Sequence, residues 1–197
     1  MTIHRCAWAN PANPRYITYH DTEWGAPSFD DAHLFEMLIL EGSQAGLSWE
    51  TILNKREGYR RAYDGFAPER MARWTDARLD ELREDPGIVR NRLKIKAART
   101  NARAFLEVVD DYASFAGYIW KFVDGCPIQS GFHTMKDIPA TTSVSDAMSK
   151  ELKQRGFTFV GSTICYAYMQ SVGMVNDHVA ECFRHDECRD LAAGPES

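Results

Sequence analysis

The stretch Leu79-Asp80-Glu81-Leu82-Arg83-Glu84-Asp85-Pro86-Gly87-Ile88-Val89-Arg90, continued by Asn91-Arg92-Leu93-Lys94-Ile95-Lys96-Ala97-Ala98-Arg99, decides how this chain is read. A helix ends, Pro86-Gly87 makes a tight turn, and a basic helix begins. From Arg90 to Arg103 there are six basic residues (Arg90, Arg92, Lys94, Lys96, Arg99, Arg103) and no acid. Backbone amides at Gly87 and at the start of the second helix are expected to face an anion, which the helix dipole favours. Arg90, Arg92 and Lys94 are placed to neutralise adjoining phosphates. The competing reading is a solvated basic face on a surface helix. The turn set directly ahead of the charge favours the anion grip, a helix-hairpin-helix arrangement over about 76–108.

Working outward, helix signals dominate. Residues 32–42 form an apolar helix ending at Gly42, and residues 48–63 a second with Ser48 as its cap. Pro68 opens a short helix, Thr75 caps residues 76–84, and Ser143 with Asp146 reads as a capping pair for residues 144–155, stopped by Gly156. Residues 159–172 carry Val160, Ile164, Tyr168 and Met169 at helical spacing, closed by Gly173. No alternating run exceeds four or five residues, so the expected class is all-α. The last dozen residues read as a loose tail, 186–197, beyond a single unit spanning 4–185.

At 197 residues the chain is long enough to bury a real core. Its apolar content of 44% and charged content of 26% are ordinary globular usage. No apolar run approaches a membrane span, and no signal-peptide pattern opens the chain. The five cysteines (6, 126, 165, 182, 188) are odd in number and widely spread, which reads as reduced thiols or metal ligands in a cytoplasmic protein. The net charge of −5 argues against a non-specific nucleic-acid coat but permits a local basic face.

Two further groups carry chemistry. Cys6 and His20 lie near the start, and His178 and Cys182, four apart, near the end, in a stretch from Asn176 that reads as a helix. Two cysteines and two histidines suit tetrahedral zinc, and one ion would then tie both ends of the chain. Buried Cys and His of the ordinary kind are the alternative. The second group is early: Trp8, Tyr16, Tyr19, Trp24 and Trp49 around Glu41, which follows Met37-Leu38-Ile39-Leu40. A carboxylate there is partly buried and needs partners, and aromatics around an acid suit a flat cationic ring. An aromatic core with an exposed helix-end Glu is the alternative.

Several ordered motifs together resemble the 3-methyladenine DNA glycosylase I family of the helix-hairpin-helix glycosylase superfamily. They are Arg5-Cys6-Ala7-Trp8, Tyr19-His20-Asp21-Thr22-Glu23-Trp24-Gly25, Leu34-Phe35-Glu36-Met37, Leu40-Glu41-Gly42, Gln44-Ala45-Gly46-Leu47-Ser48-Trp49, Pro139 to Ser149, Arg155-Gly156-Phe157, Phe159-Val160-Gly161 and Val175-Asn176-Asp177-His178-Val179. The resemblance implies a helix-hairpin-helix glycosylase fold whose N- and C-termini are joined by one structural zinc on Cys6, His20, His178 and Cys182. His185 and Cys188 lie nearby as a decoy. It implies a monomeric DNA-repair enzyme that flips 3-methyladenine out of double-stranded alkylated DNA, hydrolyses its N-glycosidic bond and releases the free base. It assigns Glu41 the central role, accepting from the exocyclic amine of the charged base. Tyr19 would meet the ring edge, Trp49 would stack, and Trp8 would close a pocket shared with Tyr16 and Trp24. In the turn Gln44-Ala45-Gly46-Leu47, Gln44, Gly46 and Leu47 would meet DNA, Leu47 as an apolar plug. Asp110 and Asp111 sit at the offset where many superfamily members carry a catalytic Asp, but this family is not expected to use one. Three positions depart from the pattern: Ser43 stands for a second Gln, Leu93 for a Gly after the hairpin, and Val89 for the superfamily hairpin's second Gly. Two rival classes remain. A zinc hydrolase needs an open metal position, which four protein ligands deny. A non-catalytic zinc-stabilised DNA-binding module leaves the aromatic–Glu group idle.

Overall fold

The computed structural model describes residues 3–193. Side-chain caps set most helix starts, as the sequence indicates. Asn13 accepts from Arg15 N and opens α1 (Pro14–Thr22). Asp30 accepts from Ala32 N and His33 N and opens α2 (Asp31–Gln44). Ser48 caps α3 (Trp49–Ala62), and Thr75 caps α5 (Asp76–Leu82) after the short α4 (Pro68–Met71). Asn91 accepts from Leu93 N and Lys94 N and opens the long α6 (Arg92–Tyr112), followed by α7 (Phe115–Ile119). The later helices are α8 (Ser143–Gln154), α9 (Ser162–Ser171) and α10 (Phe183–Ala193).

Helix α2 is the axis of the molecule. It is buried nearly all round from Leu34 to Ser43 and packs against α3, α6, α7 and α9. An all-round apolar helix of this kind needs neighbours on every face. One buried ion network helps to place it. Arg56 of α3 donates to Glu36 of α2 (Nε–Oε1 2.6 Å) and to Glu23 beyond α1 (Nη1–Oε2 2.7 Å). Burial opposes the charge on Glu23, but hydrogen bonds from His33 and Arg56 hold its carboxyl down to about 2.

Helix α3 also docks the hairpin, residues 83–91 between α5 and α6. Lys55 Nζ donates to Pro86 O at 2.7 Å, and Tyr59 OH accepts from Val89 N at 3.2 Å. Between those two residues Gly58 lets the turn approach: a Cβ there would lie 2.2 Å from Gly87 O.

Four expectations need correction. Residues 176–182 are not a helix. Val175–Asn176 is strand β2, paired in parallel with β1 (Ile128–Gln129), with Ile128 opposite Val175 and Gln129 opposite Asn176. Asn176 Nδ2 bridges Gln129 Oε1 and His185 O, so its side chain is spent on tertiary contacts and does not cap a helix. The all-α class therefore carries one two-residue ladder. The loose tail is not loose from 186 to 193, because α10 continues to Ala193 and buries Cys188; residues 194–197 lie outside the described residues. The cap of α8 is Thr142 with Ser145, one residue earlier than Ser143 with Asp146, since Thr142 is the last extended residue.

Gly58→Ala is expected to lower stability by about 1–3 kcal/mol, as overpacking against rigid backbone does. Thermal melts check this, and an unchanged midpoint would mean that the hairpin is free to move off α3.

Candidate functional site

A cavity of about 390 Å³ opens between α1, α2, α9 and the loop before α8. Trp8, Tyr16, Tyr19, Trp24, Glu41, Gln44 and Trp49 all line it, so the structure brings together every member of the early aromatic–Glu group. Tyr19 and Trp49 face each other with ring centroids 5.4 Å apart, and Trp8 meets Trp24 edge-on at 4.9 Å. Helix α1 supplies Tyr16 and Tyr19 from one face, three residues apart.

Glu41 is 4% exposed, and no side chain of the described residues donates to its carboxylate. Burial alone pushes its carboxyl up to about 8. Two donors beside it are equally alone: Tyr19 OH and Trp49 Nε1 are buried without a hydrogen-bond partner. Buried polar atoms without partners are costly in a folded protein. These two donors and the unbonded Glu41 carboxyl that lines the same cavity amount to a polar frame for a ligand that both donates and accepts. Burial, with Glu41 as the next cause, holds the Tyr19 phenol well above its usual range, so it serves as a donor.

The far wall went unread in the sequence. Thr163, Tyr166, Ala167 and Gln170 of α9 line the cavity. Their spacing of three, four and seven is itself a helix-face signal, overshadowed by the apolar stripe, of which Ile164 alone also reaches the cavity. Buried Asp177 holds this wall, accepting from Ser130 Oγ at 2.5 Å, Tyr166 OH at 2.6 Å and Gln170 Nε2 at 2.7 Å. The loop residues Met135, Ile138, Pro139 and Ala140 close the rim.

Directly beneath, Cys6, His20, His178 and Cys182 converge, with one ligand atom of each within 4.8 Å of the others. Cys6 Sγ lies 3.5 Å from His178 Nδ1, and Cys182 Sγ lies 3.4 Å from both His178 Nδ1 and His20 Nε2. Asp21 Oδ1 takes the far nitrogen of His20 at 2.8 Å, and Trp24 O takes that of His178 at 2.9 Å. Arg5 grips Asp21 in turn with two nitrogens. Among the described residues this is the only such cluster; His185 and Cys188 do not join it.

The outer face carries the turn and the hairpin. Gln44–Leu47 is a tight turn closed by Leu47 N to Gln44 O at 2.7 Å, and Gln44 Nε2 donates to Leu47 O at 2.6 Å. Leu47 is 39% exposed. Arg90 and Arg92 are exposed at the hairpin, as expected. Gly87 and Lys94 are placed otherwise. The Gly87 amide goes to Asp85 Oδ1 at 2.7 Å. Lys94 is 8% exposed, and its ammonium donates to Ser43 O at 2.8 Å and Ala45 O at 2.6 Å. Neither group is open to a phosphate as it stands, because each already has an internal partner. Asp110 and Asp111 lie on the exposed face of α6, away from the cavity.

Residues 8–185 match the methyladenine glycosylase family. The chain belongs to that family. It is 48% identical over 180 residues to DNA-3-methyladenine glycosylase 1 of Escherichia coli (strain K12), covering 91% of this chain and 96% of the relative. It is 46% identical over 178 residues to DNA-3-methyladenine glycosylase of Haemophilus influenzae (strain ATCC 51907 / DSM 11121 / KW20 / Rd), covering 90% and 96%. A crystal structure of a 3-methyladenine DNA glycosylase I superposes with a TM-score of 0.89 at 49% identity, over 91% of this chain and 98% of that one. A variant of a 3-methyladenine DNA glycosylase I solved in complex with 3-methyladenine superposes with a TM-score of 0.88 at 35% identity, over 91% and 96%. In this family member no helix of the described residues is long and apolar enough to cross a membrane.

The Glu41 carboxyl also gives a pH signature. Raised from 4.5 to about 8, it keeps its proton in the folded chain after the unfolded chain has lost its own. Stability therefore falls as pH rises from about 4.5 towards 8, then levels. Glu41→Gln removes that slope. Melts at about pH 5 and pH 8 should show the variant gaining on the native chain, at about 2–4 °C per kcal/mol for this size. A pH-independent difference would mean that Glu41 titrates normally.

Proposed function

We propose that this protein is a monofunctional DNA-3-methyladenine glycosylase. It extracts 3-methyladenine from alkylated double-stranded DNA and hydrolyses the bond to the sugar. The observation that carries the reading is one aromatic cavity lined by the buried Glu41 carboxyl and by two buried donors without partners, Tyr19 OH and Trp49 Nε1. Methylation at N3 gives adenine positive charge and weakens its glycosidic bond. The cavity rewards that charge twice, through aromatic faces and through a desolvated carboxyl that ionises as the cation arrives. Ionised Glu41 accepts from the exocyclic amine, Trp49 stacks on the ring, Tyr19 meets its edge, and Trp8 with Tyr16 and Trp24 closes the site. Water adds to the sugar carbon as the C–N bond breaks, the cationic base leaves with the bonding electrons as neutral 3-methyladenine, and the added water gives up its extra proton to solvent. Because the lesion is already a good leaving group, holding it extruded and excluding bulk water supplies much of what the reaction needs.

Outside the cavity, α5, the turn and α6 act as a helix-hairpin-helix. Arg90 and Arg92 engage phosphates, while the base cavity supplies specificity. The exposed Leu47, on its tight turn, fills the gap left by the flipped base.

We further propose one structural zinc. The sulfur–nitrogen edges of 3.4–3.5 Å support it. A tetrahedral ion with zinc–sulfur near 2.3 Å and zinc–nitrogen near 2.05 Å has edges of about 3.5 Å. The fourth ligand closes the shell, so the ion takes no part in the reaction. Through Asp21 and Trp24 O its histidines hold the base-binding aromatics in place.

Base release from alkylated DNA tests the function. Glu41→Gln loses a charge-assisted hydrogen bond worth about 1.5–3 kcal/mol, so affinity for free 3-methyladenine should fall roughly 10- to 150-fold. Excision should fall with it but not vanish. Full affinity and full excision in the variant would remove Glu41 from the site.

Metal analysis of the pure protein should give one zinc per chain. Cys182→Ser should lose the zinc and melt earlier, because metal binding is coupled to folding. A metal-free native chain of unchanged stability would overturn the assignment.

A further inference from the structure

We propose that Lys94 is a positioning residue that locks the Gln44–Leu47 wedge turn to the DNA-gripping hairpin. This rests on the glycosylase reading above and names the part that couples backbone engagement to base extrusion. The turn has Ala45 at φ −42°, ψ 115° and Gly46 at φ +78°. With its Leu47 N to Gln44 O bond it is a type II turn. Type II differs from type I by a flip of the central peptide, here Ala45–Gly46. Lys94 Nζ bonds Ala45 O, the oxygen that this flip would turn away. Gly46 permits the type II state, and Lys94 selects it over type I. An added Cβ at Gly46 meets nothing within 4 Å, so the glycine is demanded by φ and not by space. In a trans peptide the Gly46 amide faces opposite Ala45 O, outward on the exposed side of the turn.

The second bond, to Ser43 O, ties the same ammonium to the last turn of α2. Its carbonyls lack helical partners there and carry the negative end of the dipole. Lys94 itself stands third in α6, and Asn91 Oδ1 accepts from its amide. Exposed Arg90 and Arg92 lie four and two residues before it. A phosphate that seats the start of α6 therefore seats Lys94, and Lys94 seats the peptide that aims Leu47. A residue facing phosphate, by contrast, would be exposed and free of internal partners, as Arg90 and Arg92 are among the described residues.

Lys94→Met keeps the aliphatic stem and removes both bonds. In the full chain, single-turnover base release from methylated duplex DNA at saturating enzyme should fall at least about tenfold. Affinity for free 3-methyladenine should stay within about twofold. For a duplex carrying an abasic-site analogue, the slope of log affinity against log salt should match the native slope, whereas Arg90→Gln should reduce it by about 0.9. In the Leu47→Ala background, Lys94→Met should add little, since both act through one element. A slope reduced by about 0.9 in Lys94→Met would make it a phosphate contact and overturn the proposal. Parallel loss of free-base affinity would make it general support and overturn it too. Native release rates in Lys94→Met, with Leu47→Ala impaired, would sink the strut alone. Native rates in Leu47→Ala would sink the wedge reading and the strut together. If Lys94→Met does not fold, Gly46→Ala perturbs the same peptide without touching the lysine: lowered release with free-base affinity kept supports the proposal, and unchanged release overturns it.

Discussion

The structure depends on how the C-terminal end of α2 is kept buried. Nearly every residue from Leu34 to Ser43 is inside, so the helix brings a carboxyl and its last carbonyls into a medium that tolerates neither without partners. The two are treated differently. The carbonyls of Ser43 and Ala45 receive the Lys94 ammonium, and the end of the helix is fixed. Glu41 receives nothing and holds a proton up to about pH 8. Satisfied groups hold position here, and the unsatisfied one lines the cavity. Glu23, bonded by Arg56 and His33 in the same neighbourhood, shows that the fold can satisfy a half-buried carboxylate.

The tetrad beneath the cavity follows the same division. Trp8 follows Cys6 by two residues and packs on His20 at 5.1 Å, while Trp24 meets His178 at 4.6 Å and lends it a carbonyl. Two walls of the cavity, Trp8 and Trp24, therefore pack directly on the Cys–His cluster. Phe183 N bonds His4 O, so residues 4 and 183 lie side by side where the four Cys and His side chains converge. Asp177 does for the α9 wall what Asp21 does for the tetrad, with three donors on one buried carboxylate.

Sequence reading reached what local rules control. Caps at Ser48 and Thr75 stand where they were expected, because each pairs an extended residue with amides a few positions on. The near side of the cavity was legible because Glu41 follows an uninterrupted apolar run and the aromatics cluster early. What failed was decided at long range. Asn176 to Cys182 has helical spacing, yet Asn176 is claimed by Gln129 and His185, and Asp177 by Ser130, Tyr166 and Gln170. The four-residue spacing of His178 and Cys182 still brings their donor atoms to 3.4 Å, by a turn and not a helix. Lys94 misled for a simpler reason. In a row of basic residues, only the position of α2, far away in sequence, tells which one faces inward.

The three positions that depart from the family pattern show which backbone features the hairpin needs. Ser43 is buried, and its hydroxyl closes on Ile39 O at 2.8 Å, so no orphan donor follows from the loss of a longer amide. Val89 keeps an ordinary negative φ and gives its amide to Tyr59, so a second glycine has no conformational task at that position. Leu93 is 65% exposed between Arg92 and the buried Lys94. Its side chain lies on the outer surface and takes nothing from the core. Close approach is demanded instead at Gly58 and Gly87, where backbone meets backbone with no room for a Cβ on Gly58. The hairpin is thus held from behind by α3, and its outer face carries the exposed side chains Arg90, Arg92 and Leu93.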